Sequence, residues 1–291
     1  MRQVILRLMS RMIEKGAEHA YRKDQKPEAR EIIENLPYCE DGIYEHQLDI
    51  IYPEVKQESY PVIVNIHGGG FGMNSKDKIY RNYGMRLAGD QFAVVNLNYR
   101  LSGTAVFPAQ MEDVMAALHF LVKEGDKYKL DLKRVFLSGD SSGAYMAAMA
   151  ACILKNQKLR EVYRIEYELP VRAIALNCGM YDFTTFMGKE VHFPMKKLIV
   201  EMLFGSKNYT ELNSFQYSSV FDYMTEDFPP AYLMDVEGES FAAEAYRMEK
   251  KLKSFKVPYQ LHIFDKSEKL MHAFHIMSRF EQSNQVLQEM F

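Results

Sequence analysis

The sequence predicts an α/β protein, a mostly parallel central sheet with helices on both faces, and three features carry that expectation. Strand and helix patterns alternate from about residue 43 onward. The strand runs are nearly continuous in apolar residues, as central parallel strands covered on both faces require. Finally, Val135-Phe136-Leu137 runs through Gly139-Asp140-Ser141-Ser142-Gly143 into the helix-forming tail Ala144–Ala151. Strand, tight reversal and helix thus follow one another directly, the context in which Gly-x-Ser-x-Gly marks a nucleophile elbow.

The individual elements follow from local pattern. Tyr44–Tyr52 reads as a strand stopped by Pro53, and Val62–Ile66, Phe92–Leu97 and Val135–Leu137 follow. Val171–Leu176, Ala231–Val236 and Tyr259–Phe264 complete the set. Helices are expected near 77–88, 109–123, 142–156 and 241–254. The rhythm breaks once. Some 54 residues separate the strands at 171–176 and 231–236, and they are rich in Phe, Tyr and Met. A connection of that length predicts an inserted helical lid, at about 178–228, within a domain spanning 41–291. Residues 1–40 are charged and lack strand runs, so they read as an N-terminal helical cap segment. Within it Val4, Ile5, Leu8 and Met12 recur at helical spacing, an amphipathic helix expected to pack on the protein's own surface.

Composition narrows the function classes. Of 291 residues 47% are hydrophobic, enough for a large core, and a net charge of −3 offers no electrostatic reason to bind nucleic acid or an anionic membrane. No run is long and apolar enough to span a bilayer, and Arg7 and Arg11 interrupt any signal-peptide core. The three cysteines, Cys39, Cys152 and Cys178, are odd in number and lack Cys-x-x-Cys spacing. They read as small buried hydrophobes, without a disulfide framework or a thiolate zinc site, and fit a reducing cytoplasm.

Chemistry concentrates in few places. Glycines at 139 and 143 remove the Cβ atoms that would collide in the reversal, leaving Ser141 free to present its hydroxyl. His67-Gly68-Gly69-Gly70-Phe71 ends another strand, and consecutive glycines there let backbone N–H groups face a bound oxyanion. The N–H of Ser142 would join those of Gly69 and Gly70. A hydroxyl nucleophile also needs a base, and the base a carboxylate, in the chain order Ser, acid, His. His192 falls in the expected lid and His262 inside a strand, whereas His272 and His275 both follow the last strand. The acid should lie just past the strand 231–236, where Asp235, Glu237 and Glu239 are candidates. Asp235 sits within the strand pattern itself, and Glu239 stands at the turn into the next helix.

Taken with Asn98-Tyr99-Arg100-Leu101, Phe107-Pro108-Ala109-Gln110-Met111-Glu112-Asp113-Val114 and His272-Ala273-Phe274, these motifs make residues 43–280 resemble an α/β-hydrolase of the hormone-sensitive-lipase-like esterase group, which includes bacterial acetylesterases and carbohydrate esterases. The resemblance implies oxyanion donors at Gly69 and Gly70, and a base at His272, not His275. It places the acid at Glu239, where the family usually has Asp, with Asp235 as rival. Ala144 and Ala273 stand where glycines are common, and His67 and Asp140 are expected to be structural.

The function so implied is a serine carboxylesterase that cleaves short-acyl esters of small molecules through an acyl-enzyme. It needs no metal or organic cofactor, no nucleic acid and no stable membrane insertion, and is compatible with a homo-oligomer. Amide or formamide hydrolysis, and a non-catalytic small-molecule receptor, are the alternatives.

Overall fold

A computed structural model describes residues 18–19, 21–24, 27, 31–189, 191, 193, 195–238 and 241–290. The amphipathic helix expected at the start of the chain lies outside the described residues. One eight-stranded sheet runs in the order β1-β2-β4-β3-β5-β6-β7-β8. Its strands are β1 (Ile32–Pro37), β2 (Gln47–Ile51), β3 (Tyr60–Ile66), β4 (Ala93–Leu97), β5 (Leu130–Asp140), β6 (Val171–Asn177), β7 (Ala231–Val236) and β8 (Tyr259–Phe264). Only β1 and β2 run antiparallel to their neighbours; β3 to β8 are parallel. Every residue of β3, β4 and β7 is buried, which explains their unbroken apolar runs: helices cover both faces.

Those helices are α1 (Ile79–Ala88), α2 (Ala109–Glu124), α3 (Ser142–Lys155), α4 (Gln157–Tyr163), α5 (Phe183–Phe186), α6 (Lys196–Leu203), α7 (Val220–Tyr223), α8 (Ala242–Ser254) and α9 (Glu281–Met290). Helix α3 is buried from Ser142 to Leu154, and its run of alanines lets it lie close against the sheet. The long connection between β6 and β7 carries α5, α6, α7 and two turns of 3₁₀ helix. Its aromatic residues pack largely on one another, with Phe204 against Phe183 at 5.2 Å and against Phe215 at 5.5 Å. Phe183 in turn meets Tyr145 of α3 at 5.2 Å, and the Tyr145 hydroxyl donates to the Ser218 carbonyl at 2.9 Å.

Three elements depart from expectation. Residues 32–37 form an edge strand inside the segment read as helical. Ile32 and Ile33 pair with Ile51 and Ile50, but the register shifts before Leu36 and Asn35 adopts φ +57°, so no clean alternation marks the strand. The strand read as Tyr44–Tyr52 begins at Gln47, because Tyr44–His46 is a turn of 3₁₀ helix. The sequence reading also lacks α9, whose buried apolar residues are only Val286 and Met290.

The antiparallel edge is held by charge. Lys76 is wholly buried, with Nζ 2.8 Å from Asp49 Oδ1 on β2, 2.7 Å from Asn35 Oδ1 on β1 and 3.1 Å from Asp77 Oδ1. Arg81 of α1 reaches Asp49 Oδ2 at 3.0 Å. Removing one member of a buried pair leaves the other charge uncompensated. The Asp49→Ala variant should therefore lose about 3–5 kcal/mol of stability. Arg81→Ala, at a partly exposed residue, should lose less. Denaturant titration monitored by fluorescence checks both, and a loss under about 1 kcal/mol for Asp49→Ala would show that the network does not hold the edge.

Candidate active site

Where β5 ends and α3 begins, the chain reverses at Ser141, which adopts φ +53° and ψ −117°. Such a conformation costs an L-residue of order 1–3 kcal/mol and persists only where its surroundings impose it. They do so by contact. A Cβ on Gly139 would lie 2.4 Å from the Gly143 backbone, and one on Gly143 would lie 2.0 Å from the Ile66 carbonyl oxygen. The Ser141 N–H donates to the Asn177 carbonyl at 2.9 Å, fixing the turn to β6.

The glycine loop after β3 is tied to this elbow by the residue before the serine. Asp140 is buried, and its Oδ1 accepts the Gly68 N–H at 3.0 Å while its Oδ2 accepts the Tyr80 hydroxyl at 3.0 Å. The Gly68 N–H also donates to the Tyr80 oxygen at 2.9 Å. Burial pushes the Asp140 carboxyl up to about 7, against the opposing pull of these hydrogen bonds. Gly68 must be glycine, because a Cβ there would lie 2.3 Å from Asp140 Oδ2. Gly69 and Gly70 both take positive φ, +125° and +58°. His67 is stacked on Tyr99 with ring centroids 4.3 Å apart, and its Nδ1 donates to the Gly68 carbonyl at 2.9 Å. Burial holds it down to about 4, so it is a neutral structural donor.

Ser141, Ser142 and Gly70 share one small cavity of about 20 Å³, the room of about one water molecule. The rest of its wall is apolar: Phe71, Met180, Phe186, Phe193, Ile199 and Phe241. Gly69 lies one residue back in the turn, its carbonyl accepting the Gly72 N–H at 3.2 Å. Phe186, Phe193 and Ile199 come from the β6–β7 connection and Phe241 from the entry to α8, positions that the aromatic richness of the connection hinted at without singling out. Tyr80, the partner of Asp140, carried no motif signal.

His272 stands on the same side. Its ring meets Phe193 and Phe241 edge-on, at 5.9 and 5.4 Å between centroids. Both ring nitrogens are covered and have no hydrogen-bond partner among the described residues, and burial pushes the ring down to about 4. No hydrogen bond joins it to Ser141, a separation that unliganded sites often show. His275 points elsewhere: it is fully buried against Tyr83 at 5.4 Å and pushed down to about 3, chiefly by burial. Ala273 between them adopts φ +55°, a conformation that glycine takes without strain. Asp235 lies wholly buried in β7, where its Oδ1 accepts the Val236 N–H at 2.8 Å. Glu237 is exposed, and its N–H donates to the Phe264 carbonyl. Glu239 and His192 lie outside the described residues; in the chain Glu239 is two residues from Phe241.

Known proteins resemble this chain at both levels. The carboxylesterase NlhH of Mycobacterium tuberculosis is 30% identical over 133 residues, covering 45% of this chain and 40% of that protein. The chain thus matches less than half the length of that relative. Esterase B from Lactobacillus Rhamnosis (HN001) superposes with a TM-score of 0.88 at 23% identity, covering 99% of this chain and 92% of its own. The same esterase inhibited with a C4-C4 tributyrin phosphonate gives 0.87 at 22% identity, with 99% and 92% covered. The fold is that of the α/β-hydrolases. Residues 48–242, from β2 through the elbow to the start of α8, match the BD-FAE family model, and the chain belongs to the BD-FAE family.

Proposed function

We propose that the protein is a serine carboxylesterase acting on short-acyl esters. The observation that carries this reading is Ser141, held at positive φ and facing one small, apolar cavity together with Gly70 and Ser142. The Ser141 hydroxyl attacks the ester carbonyl and neutral His272 takes its proton, then gives it to the departing alcohol. The N–H groups of Gly69, Gly70 and Ser142 hold the oxyanion. Glu239 orients the imidazole and compensates the imidazolium, and water cleaves the acyl-enzyme by the same steps. Residues 178–228 act as a lid whose Phe186, Phe193 and Ile199 bound the acyl pocket. The apolar wall of the cavity, and the likeness to esterases that include one inhibited by a tributyrin phosphonate, support acetyl to butyryl groups.

Hydrolysis of p-nitrophenyl esters from acetate to palmitate, wild type beside Ser141→Ala, tests the reading. Short esters should turn over and palmitate hardly at all, with turnover lost in the variant. A folded wild type silent across the series, or a Ser141→Ala variant that keeps its rate, refutes it.

The base must be neutral to act, so kcat/KM should fall as pH drops through the titration of His272. Burial alone sets that at about 4, and an ionised carboxylate at Nδ1 raises it toward the unperturbed value of about 6.5. Glu239→Gln should therefore lower kcat and move the acid limb of the profile downward, whereas Asp235→Asn should change kcat less. The opposite ranking transfers the acid to Asp235.

Asp140→Ala frees Gly68 from the elbow and displaces the oxyanion donors behind it. The expected effect is a loss of about 10²-fold in kcat with KM little changed, because the donors act on the transition state. A variant within about threefold of wild type would remove Asp140 from the positioning role.

A further inference from the structure

The β1–β2 connection gathers side chains that ester chemistry does not use. Cys39, Asp41 and His46 each offer one ligand atom, and these atoms all lie within 4.8 Å of one another. No other group of three or more such side chains is gathered this way among the described residues.

The His46 ring is already oriented. Its Nε2 lies 3.1 Å from Asp113 Oδ1, and Asp113 is buried. Asp113 is paired with Arg100, its two oxygens accepting the Arg100 backbone N–H at 2.7 Å, Nε at 2.9 Å and Nη2 at 2.6 Å. The ring therefore donates Nε2–H to Asp113, and its Nδ1 shares a proton with Asp41 Oδ2, 2.6 Å away. A buried carboxylate behind the distal nitrogen is how metal-binding histidines are set in tautomer and direction. Asp41 is anchored through its other oxygen, which accepts the Ile43 N–H at 3.0 Å. The Tyr38 ring packs against His46 at 5.4 Å, and burial together with the Asp41 and Asp113 carboxylates pushes the Cys39 thiol up, so it keeps its proton until a cation displaces it.

We propose that Cys39 Sγ, Asp41 Oδ2 and His46 Nδ1 form a binding site for a divalent transition metal, best suited to Zn²⁺, with water as fourth ligand. Thiolate, imidazole and carboxylate together suit Zn²⁺ and disfavour Mg²⁺ or Ca²⁺, which prefer all-oxygen sets. The ion replaces the thiol proton and the proton held between His46 and Asp41, and the two anionic ligands balance its charge. The site is a clip, not a catalyst. It joins the β1–β2 connection to α2 through Asp113 and to the strand-β4 loop through Arg100. Its spacing, Cys-x-Asp-x₄-His, contains no cysteine pair and escapes a search for thiolate zinc motifs.

The probe is Co²⁺, titrated into the full-length, chelator-treated protein and followed by absorption, with Zn²⁺ binding measured by calorimetry. One equivalent should bind, with a near-ultraviolet thiolate-to-cobalt charge-transfer band, and Zn²⁺ should raise the melting temperature. Cys39→Ser should abolish the band, and Cys39→Ser and Asp41→Asn should each weaken Zn²⁺ binding at least about tenfold. Cys152→Ser should keep the band, as that thiol is buried in α3. Absence of a band in wild type, or a band or affinity that survives both substitutions, overturns the site.

Discussion

The buried carboxylate of Asp140 is the interaction on which the arrangement of this site depends. The sheet puts the ends of β3 and β5 side by side, with Ile66 opposite Gly139. Pairing alone does not set the angle at which the glycine loop leaves β3. Asp140, the last residue of β5, does so by accepting the Gly68 N–H on one oxygen and the Tyr80 hydroxyl on the other. Tyr80 belongs to α1, so one side chain joins the central strand, the loop and a covering helix. The cost is a carboxyl deep in the core, pushed up to about 7 by burial. Removing the carboxylate would strand the buried Tyr80 hydroxyl, whereas the Gly68 N–H would keep the Tyr80 oxygen as its acceptor.

Several of the chain's positive-φ residues lie around the same point. Ser141, Gly69, Gly70 and Ala273 all take positive φ, at the elbow, in the glycine loop and beside His272. Three different sources hold them there. Van der Waals contact leaves Gly139 and Gly143 no Cβ, the Asn177 carbonyl holds the Ser141 N–H, and Ala273 bears its strain in a loop clamped by packed aromatic rings. The parallel sheet supplies the rigidity, since β3 and β5 are each paired on both sides and the end of β5, Leu137–Asp140, is buried. A scaffold less constrained would relax Ser141 toward ordinary geometry and turn its hydroxyl away.

Much of this is legible in the residues themselves. Glycines at 139 and 143 announce a reversal that no side chain would permit, and buried parallel strands declare themselves by unbroken apolar runs. Ala231–Val236 and Tyr259–Phe264 have the same bounds in sequence and in structure. The antiparallel edge is less legible. β1 is held largely through Lys76 and Asp49, residues distant in sequence, and its bulge at Asn35 spoils the alternation that would reveal it. The cavity wall was hidden for a related reason. Phe186, Phe193 and Phe241 differ from the many aromatic residues around them only in which way they face, and that is decided by the folded connection.

The aromatic wall has a consequence for acid–base chemistry. A small apolar cavity strengthens hydrogen bonds to a developing oxyanion, because little water can compete. The same burial works against the base. With Phe193 and Phe241 edge-on to its ring, His272 falls to about 4, so the imidazolium it must become is disfavoured by about 3 kcal/mol relative to water. A base so depressed takes a serine proton poorly unless an anion compensates it. In the proposed mechanism that anion is Glu239, carried by the segment that also places Phe241 against the ring. One short stretch of chain then sets both the desolvation and its remedy. Asp235, the rival acid, lies within β7, where one of its oxygens accepts the Val236 N–H. In the proposed mechanism the apolar acyl pocket and the compensated histidine therefore go together, and widening the pocket at Phe193 or Phe241, both edge-on to His272, would alter the base as well as the substrate range.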